Sequence, residues 1–559
     1  IFHEAYERRH RVQVLDAISN FIPEENAEPK NPRFQAVFCI DDREESFRRH
    51  LEEIAPDVET FGMAGFFNVA MYYRGAADAH FVPLCPIVVR PQHFVTEYVP
   101  FAFRDQHSRR ARTRRALGTA SHQLVLGSRS FAGGAVLAAG LGVLATIPLV
   151  ARVLSPRLYS LFWRHAERWV QPPQVTHLKI ERSDPQPSQE PTGQGFTLEE
   201  MANISERFLR DIGLTKRFSR LVLVIGHGSD SVNNPHKSVY DCGACGGAGG
   251  GPNARALSML MNDLRVRDVL WKRGINLPRD TIFVGGLHDT CNDSVAFFDL
   301  DSFPASHHAD FEGALKTLDE TCDRNAHERC RRFWSAPLNL TRRAARKHVE
   351  GRAEDLAQTR PEYGHSTNSM CIVARRSRTR GLFLDRRSFF VSYDPTQDDD
   401  DYSILLRLMT PAVPVCTGIN LQYTFSRMDS YGWGSGTKLP HNVSGLLGVM
   451  DGAASDLRPG LPWQGVEIHE PMRLLFIVET TPKGMQRIFE RSEAIAMMFR
   501  NRWGQLTLLD PESSLIYEYV HGKFVEYKPE SRELPTAATS IDWYRGWREN
   551  LGFATIRNV

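Results

Sequence analysis

Apolar residues along the chain follow two alternating spacings. The opening stretch FHEAYERRHRVQVLDAISNFI (residues 2–22) has helical spacing. A polar connector, PEENAEPKNP, leads into the unbroken apolar run FQAVFCI at 34–40, which predicts a buried strand. The EESFRRHLEEI that follows is helical again, a short strand is expected near 58–61, and the glycine-rich GMAGFFNVAMYYRG comes next. Strand–helix–strand order of this kind predicts a parallel sheet. Further along, Thr197-Leu198-Glu199-Glu200 is a capping box that opens a helix. A strand is predicted at 221–225, a helix from about Asn253, and another strand at 281–284 leading into Gly285-Gly286-Leu287-His288-Asp289-Thr290-Cys291. Residues 309–357 are charged and helical. After Tyr363 the pattern turns irregular, with strands expected near 389–393 and 474–478, a helix over 484–500, and short strands near 505–509 and 515–520. No internal repeat is present.

The expected fold class is therefore α/β, with a mostly parallel sheet core, a long helical insertion and an additional α+β C-terminal region. The expected divisions are 1–89 and 197–308 as the two halves of the core, 90–196 as insertion and linker, 309–380 as a charged helical region, and 381–559 as the C-terminal α/β region. Within the insertion, residues 131–150 (FAGGAVLAAGLGVLATIPLV) carry no charge, long enough to cross a hydrocarbon core. The segment is rich in Ala and Gly, and Pro148 interrupts it. Just before it lies the basic run Arg109-Arg110-Ala111-Arg112-Thr113-Arg114-Arg115, which favours the cytoplasmic face of a membrane. Two readings stay open: contact with lipid or a membrane partner, and a buried helical hairpin with a solvated basic face. The stretch SDPQPSQEPTGQG has the composition of a linker, and the acidic run 398–401 reads as a solvated loop.

Charge changes this picture little. The chain has 68 basic and 66 acidic residues, so no global field draws it to nucleic acid, and its basic run has no interleaved aromatics. Nine cysteines in 559 residues are too sparse for a disulfide framework, which points to a reducing compartment with free or metal-bound thiols. No secretory signal is visible, and the chain opens at Ile1 directly inside a helical pattern, which reads as a fragment lacking an N-terminal region.

The chemistry concentrates at two places, each just past a predicted strand. One is Cys39-Ile40-Asp41-Asp42-Arg43; the other runs from Gly226-His227-Gly228 to Asp241-Cys242-Gly243-Ala244-Cys245. Cys, His and Asp are zinc ligands, and strand ends are where α/β proteins place their sites. Two thiolates, a carboxylate and an imidazole would fill the zinc sphere with a net charge near −1. If Asp41 leaves and pairs with Arg43, two residues away, the site becomes neutral and open, and a water there has its pKa lowered to about 7. Asp41 and Arg43 thus read as a gate. Cys242 and Cys245 are alternative ligands on this reading. Asp241, Cys245, His288 and Asp289 are candidates for supporting a ligand or carrying a proton, with Cys291 beside them. The glycine run 246–251 lacks the Lys-Ser/Thr of a phosphate-binding loop and reads as close packing near the metal.

Cys-x-Asp-x-Arg with a distant His and Cys resembles the β-carbonic anhydrases. FCIDDREESFRRHLE, TFGMAGFFNVAMYYRG, GHGSDSVNNPHKSVYDCGACGGAGGGPNARA, VGGLHDTCND, NLQYTFSRMDSYGWGSGTKLPHNVSGLLGVMDG and SDLRPGLPWQGVEIHEPMRLL more closely resemble the DabA family of inorganic carbon transport subunits. The resemblance covers nearly the whole chain. It implies a β-carbonic-anhydrase-like core and Zn²⁺ held by Cys39, Asp41, His227 and Cys242, thereby favouring Cys242 over Cys245. It implies catalytic roles for Asp41 and Arg43, CO₂ and bicarbonate as substrate and product, and DabB, an antiporter-like membrane subunit, as partner. It also implies peripheral attachment at the cytoplasmic face of the bacterial inner membrane, and a region preceding the point where this chain begins. Two departures from the β-carbonic anhydrase pattern stand out: His227 and Cys242 are fifteen residues apart, and the insertion between the halves is very long.

Four functions compete. An energy-coupled CO₂-hydrating subunit uses every feature above. A stand-alone carbonic anhydrase leaves residues 131–150 unexplained. A subunit with purely structural zinc has no need of Arg43. A dithiol redox protein would depend on Cys242 and Cys245 equally.

Overall fold

The computed structural model describes residues 1–23, 29–167, 169–173, 175–182, 195–437, 441–443, 449–451, 457–458 and 460–557. The linker expected after residue 182, part of the connector before the first strand, and parts of the last two family-like passages lie outside those residues.

Five strands form the central sheet: β1 (Gln35–Cys39), β2 (Glu59–Met63), β3 (Leu221–Gly228), β4 (Ile282–Asp289) and β5 (Ser294–Phe297), in the order β2-β1-β3-β4-β5. The first four are parallel and β5 returns antiparallel. Both faces of β1 and β3 are buried, so their sequences read as continuous apolar runs. One face packs on helices Arg43–Ile54 and His308–Cys330 through Phe38, Phe47, Leu51, Ile225 and Leu318. The other packs on Leu198–Asp211, Gly251–Asn262 and Leu264–Lys272 through Val37, Phe208, Val224, Leu257 and Val266.

Strands β3 and β4 run further than the sequence indicates. The glycines at 226, 228, 285 and 286 read as turn punctuation, yet the ladder continues to His227↔His288 and Gly228↔Asp289. A Cβ at Gly226 would lie 2.5 Å from the Gly250 backbone, so glycine here serves close packing under the loop that carries Cys242 and Cys245, not a turn.

A second sheet comprises β6 (Met370–Ala374), β7 (Ser388–Ser392), β8 (Leu475–Glu479), β9 (Gln505–Leu509), β10 (Ile516–Val520) and β11 (Lys523–Glu526), in the order β7-β6-β8-β9-β10-β11. Its edge meets the central sheet where the Phe390 amide donates to the Ile40 carbonyl at 3.0 Å. Strand β6 and the helix Ser403–Met428 fall in a stretch that reads as irregular. The helix carries Pro411 and Pro414, which mimic breakers, and its buried side chains hold it in place. The acidic run before it is not merely solvated: the Asp398 carboxylate accepts from the amides of Ile404 and Leu405 and caps that helix. The helix expected over 484–500 is two helices, Pro482–Arg491 and Glu493–Arg500, divided at Ser492.

The insertion leaves from strand Phe94–Tyr98 and returns at His177–Lys179, which pairs with it. Between them run helices Arg104–Ser128, Phe131–Leu154 and Pro156–Glu167. The middle helix spans about 36 Å and has no buried residue, so it is not the buried hairpin the sequence also allowed. Among the described residues two helices are long and apolar enough to cross a membrane; the other, Ser403–Met428, is half buried in the core.

Candidate metal centre

Strands β1 and β3 are neighbours and parallel, so their carboxyl ends bring the two motifs together. Cys39 closes β1 and His227 is the penultimate residue of β3. Cys242 sits in the loop between β3 and the Gly251–Asn262 helix; its amide donates to the Ala248 carbonyl, which folds the glycine run back under it. One ligand atom from each of Cys39, His227 and Cys242 lies within 4.8 Å of the others, and all three are buried. The two sulfurs are 3.8 Å apart and do not form a disulfide. Two thiolates on a tetrahedral zinc at about 2.3 Å would be roughly that far apart. A Cβ on Gly65 would come within 2.7 Å of the Cys242 sulfur and 2.8 Å of the Cys39 sulfur, so a side chain there would crowd both. The ring nitrogens of His227 are buried and make no hydrogen bond, although Nε2 lies 2.9 Å from Asp41 Oδ2. A buried imidazole between two thiols and a carboxylate fits a soft or borderline dication.

Asp41 faces Arg43. Arg43 Nε donates to Asp41 Oδ1 at 2.8 Å and Nη2 to Oδ2 at 3.0 Å, a two-point pair, while the Arg43 amide also donates to Oδ1. Arg43 opens the helix Arg43–Ile54, so pairing across two residues follows from the strand-to-helix turn. The guanidinium is buried and its remaining N–H groups are used: Nη1 donates to Glu362 Oε1 and Thr290 Oγ1, each at 2.9 Å, and Nη2 donates to the Tyr240 carbonyl. Behind it, His365 Nδ1 lies 2.5 Å from Asp42 Oδ1.

The electrostatics follow from burial and these partners. Burial pushes the Cys39 and Cys242 thiols well above the usual cysteine range. Burial also opposes charge on His227, but Asp41 and then Cys39 outweigh it and bring the imidazole to about 10. Burial would raise the Asp41 carboxyl; Arg43 and His227 reverse that and hold it well below the carboxylate range. With both thiols and the imidazole protonated, a dication must displace protons to bind, so its affinity rises with pH.

The other candidates separate. Cys245 is buried but outside the Cys39–His227–Cys242 group; Gly250 packs against its sulfur. Asp241 accepts from the Ser229 amide at 2.8 Å, and burial raises its carboxyl. Asp289 accepts from the amides of Asp230 and Cys291; burial dominates and pushes it up to about 7. Asp241 and Asp289 line a cleft of about 650 Å³ together with Ser229 and Lys237, roofed by Tyr159 and Arg164 of the insertion. His288 points into a separate ionic cluster, 2.7 Å from Glu44 and 3.4 Å from Asp293. Burial works against its charge, but the two carboxylates raise it to about 10. Cys291 is buried with a raised thiol. Sequence reasoning missed Glu362, Thr290, Ser229 and His365. Glu362 and His365 flank Tyr363, where the helical pattern gives way to an irregular one, and no local motif marks either.

Residues 1–503 match the family model described as "Probable inorganic carbon transporter subunit DabA". The chain belongs to the DabA family. It is 51% identical to the probable inorganic carbon transporter subunit DabA 2 of Rhodopirellula baltica, over 100% of this chain and 52% of that protein. It is 48% identical to a DabA 2 of Sorangium cellulosum, over 98% and 53%, and 38% identical to a DabA of Azotobacter vinelandii, over 99% and 63%. This DabA-family chain thus spans about half the length of the first two relatives. No solved structure matches it.

Proposed function

We propose that this chain is the zinc-binding part of an energy-coupled inorganic carbon transporter, hydrating CO₂ to bicarbonate with a membrane cation-translocating subunit. The observation that carries the reading is the two-point Asp41–Arg43 pair beside the Cys39–His227–Cys242 group. Cys39, His227 and Cys242 would hold the ion, which when bound supplies a Lewis acid able to polarise water near neutral pH. Asp41 would be the fourth donor, and its pairing with Arg43 would leave a coordination position free without a bare carboxylate in the core. Asp241 and Gly228, each one residue from a proposed ligand, line the cleft, so reactants and protons have a short route to the site. Asp289, near 7 in that cleft, can take up and release a proton at neutral pH.

The core would consist of 1–89 and 197–308, and the insertion 90–196 would meet the membrane or the partner, DabB, on the cytoplasmic face. The exposed apolar helix Phe131–Leu154 and the arginines before it support that placement. Peripheral attachment through the partner and insertion of this helix into lipid both fit it. A second reading, structural zinc, is favoured by the near-complete burial of all four donors. CO₂ hydration by wild type and Arg43→Ala, alone and with the membrane partner, separates the possibilities. Activity only in the complex, lost in Arg43→Ala with zinc retained, is expected. Activity of the chain alone points to an ordinary carbonic anhydrase, and carbon uptake indifferent to Arg43→Ala leaves zinc structural.

A further inference from the structure

Arg43 is shared between two carboxylates. Asp41 takes Nε and Nη2, whereas Glu362 takes Nη1, so the two bind different edges of one guanidinium. Glu362 is buried, accepts from Ser229 Oγ at 2.6 Å through the same Oε1, and keeps its Oε2 buried without a hydrogen-bond partner. Together Asp41, Arg43 and Glu362 carry one surplus negative charge; Arg43 and Glu362 alone are neutral. When Asp41 departs, the guanidinium therefore keeps a carboxylate, and Oε2 can take up an N–H that Asp41 releases. A buried guanidinium stripped of its last carboxylate is strongly disfavoured, so without Glu362 Asp41 could hardly leave Arg43.

We propose that Glu362 is a positioning residue that holds Arg43 while Asp41 binds the metal, and so sets the balance between a closed site and an open one. The proposal rests on the gated zinc reading above. It predicts that loss of the Glu362 charge ties Asp41 to Arg43 and biases the site towards the open form, even in the chain alone.

The test is thiocyanate titration of the cobalt-substituted chain, followed by visible absorption. The thiolate-to-cobalt charge-transfer band reports whether Cys39 and Cys242 hold the ion; ligand-field changes report whether a position is open. In wild type, Asp41 competes with thiocyanate and binding is weak. Asp41→Ala binds tightly. Glu362→Gln is expected to bind about tenfold more tightly than wild type, and Glu362→Asp, one methylene shorter with its charge kept, lies between the two. Glu362→Gln with wild-type affinity, while Asp41→Ala binds tightly, overturns the role of Glu362 and leaves the gated reading intact. If Glu362→Gln fails to fold, Glu362→Asp decides, and wild-type affinity there overturns the proposal. Absence of the charge-transfer band in wild type overturns both.

Discussion

Two regions of this molecule invert the usual partition of polar and apolar groups, in opposite senses. At the carboxyl end of the central sheet, charge is buried: Arg43, Asp41, Glu362, His227 and His288 are all nearly without solvent contact. In the insertion, apolar side chains are exposed: Ile147 is 69% accessible and Phe162 71%. Buried charge persists only where partners hold it, and the sheet end supplies them bond by bond. Exposed apolar surface of this extent calls for something outside the chain, and the insertion supplies no cover for it among the described residues. On the function proposed above, the first region carries the chemistry and the second the attachment. Because the roof of the cleft, Tyr159 and Arg164, belongs to the insertion, the two regions meet at the route to the site.

The contrast can be broken at either end. The largest effect is expected at the metal donors. Cys39→Ser or Cys242→Ser should weaken zinc binding by more than the roughly 100-fold typical of a residue that only supports a ligand, whereas Cys245→Ser should retain zinc; competition with a chromophoric chelator measures both. Next, Arg43→Ala strips a guanidinium from buried Asp41 and Glu362 and should cost about 3–5 kcal/mol in the metal-free protein by urea unfolding; a loss near zero would mean that the pair is not buried as described. A smaller effect, dependent on pH, is expected at His288. Its folded pKa is raised from 6.5 to about 10, so its charge stabilises the fold fully below about 6.5 and the benefit is lost as pH rises through about 10. The gap in Tm between wild type and His288→Gln should therefore narrow between pH 7 and 10; a constant gap would contradict the charged assignment. The smallest effect on folding is expected in the insertion. Ile147→Glu should change stability by no more than about 0.5 kcal/mol while reducing retention on membranes carrying the partner, measured by co-sedimentation.

The central sheet was readable because β1 and β3 are continuous apolar runs, and the proposed donors stood out because Cys39, Asp41 and His227 lie at or just past the ends of those runs, with Cys242 in the loop after β3. Spacing left Cys242 and Cys245 open and the family resemblance favoured Cys242; in the fold the loop turns back on Ala248, which leaves Cys242 beside Cys39 and Cys245 against Gly250. The far ends of β3 and β4 were obscured because their glycines mark close packing. The helix Arg43–Ile54 shows a different limit. Its spacing is helical, but nothing local says that Arg49 will be enclosed by Glu45 and Glu328, or that Glu52 will meet Arg376. Glu362 was invisible for the same reason, since its meaning lies in a contact with a residue 319 positions away.

The central claim is that Cys39, His227 and Cys242 hold a metal ion from which Asp41 can be withdrawn by Arg43. Zinc content by elemental mass spectrometry, measured on wild type, Cys242→Ser and Arg43→Ala purified in parallel, tests it most directly. A single zinc per chain in wild type and Arg43→Ala, and none in Cys242→Ser, is the predicted result. Zinc missing from wild type, or unchanged in Cys242→Ser, would contradict it.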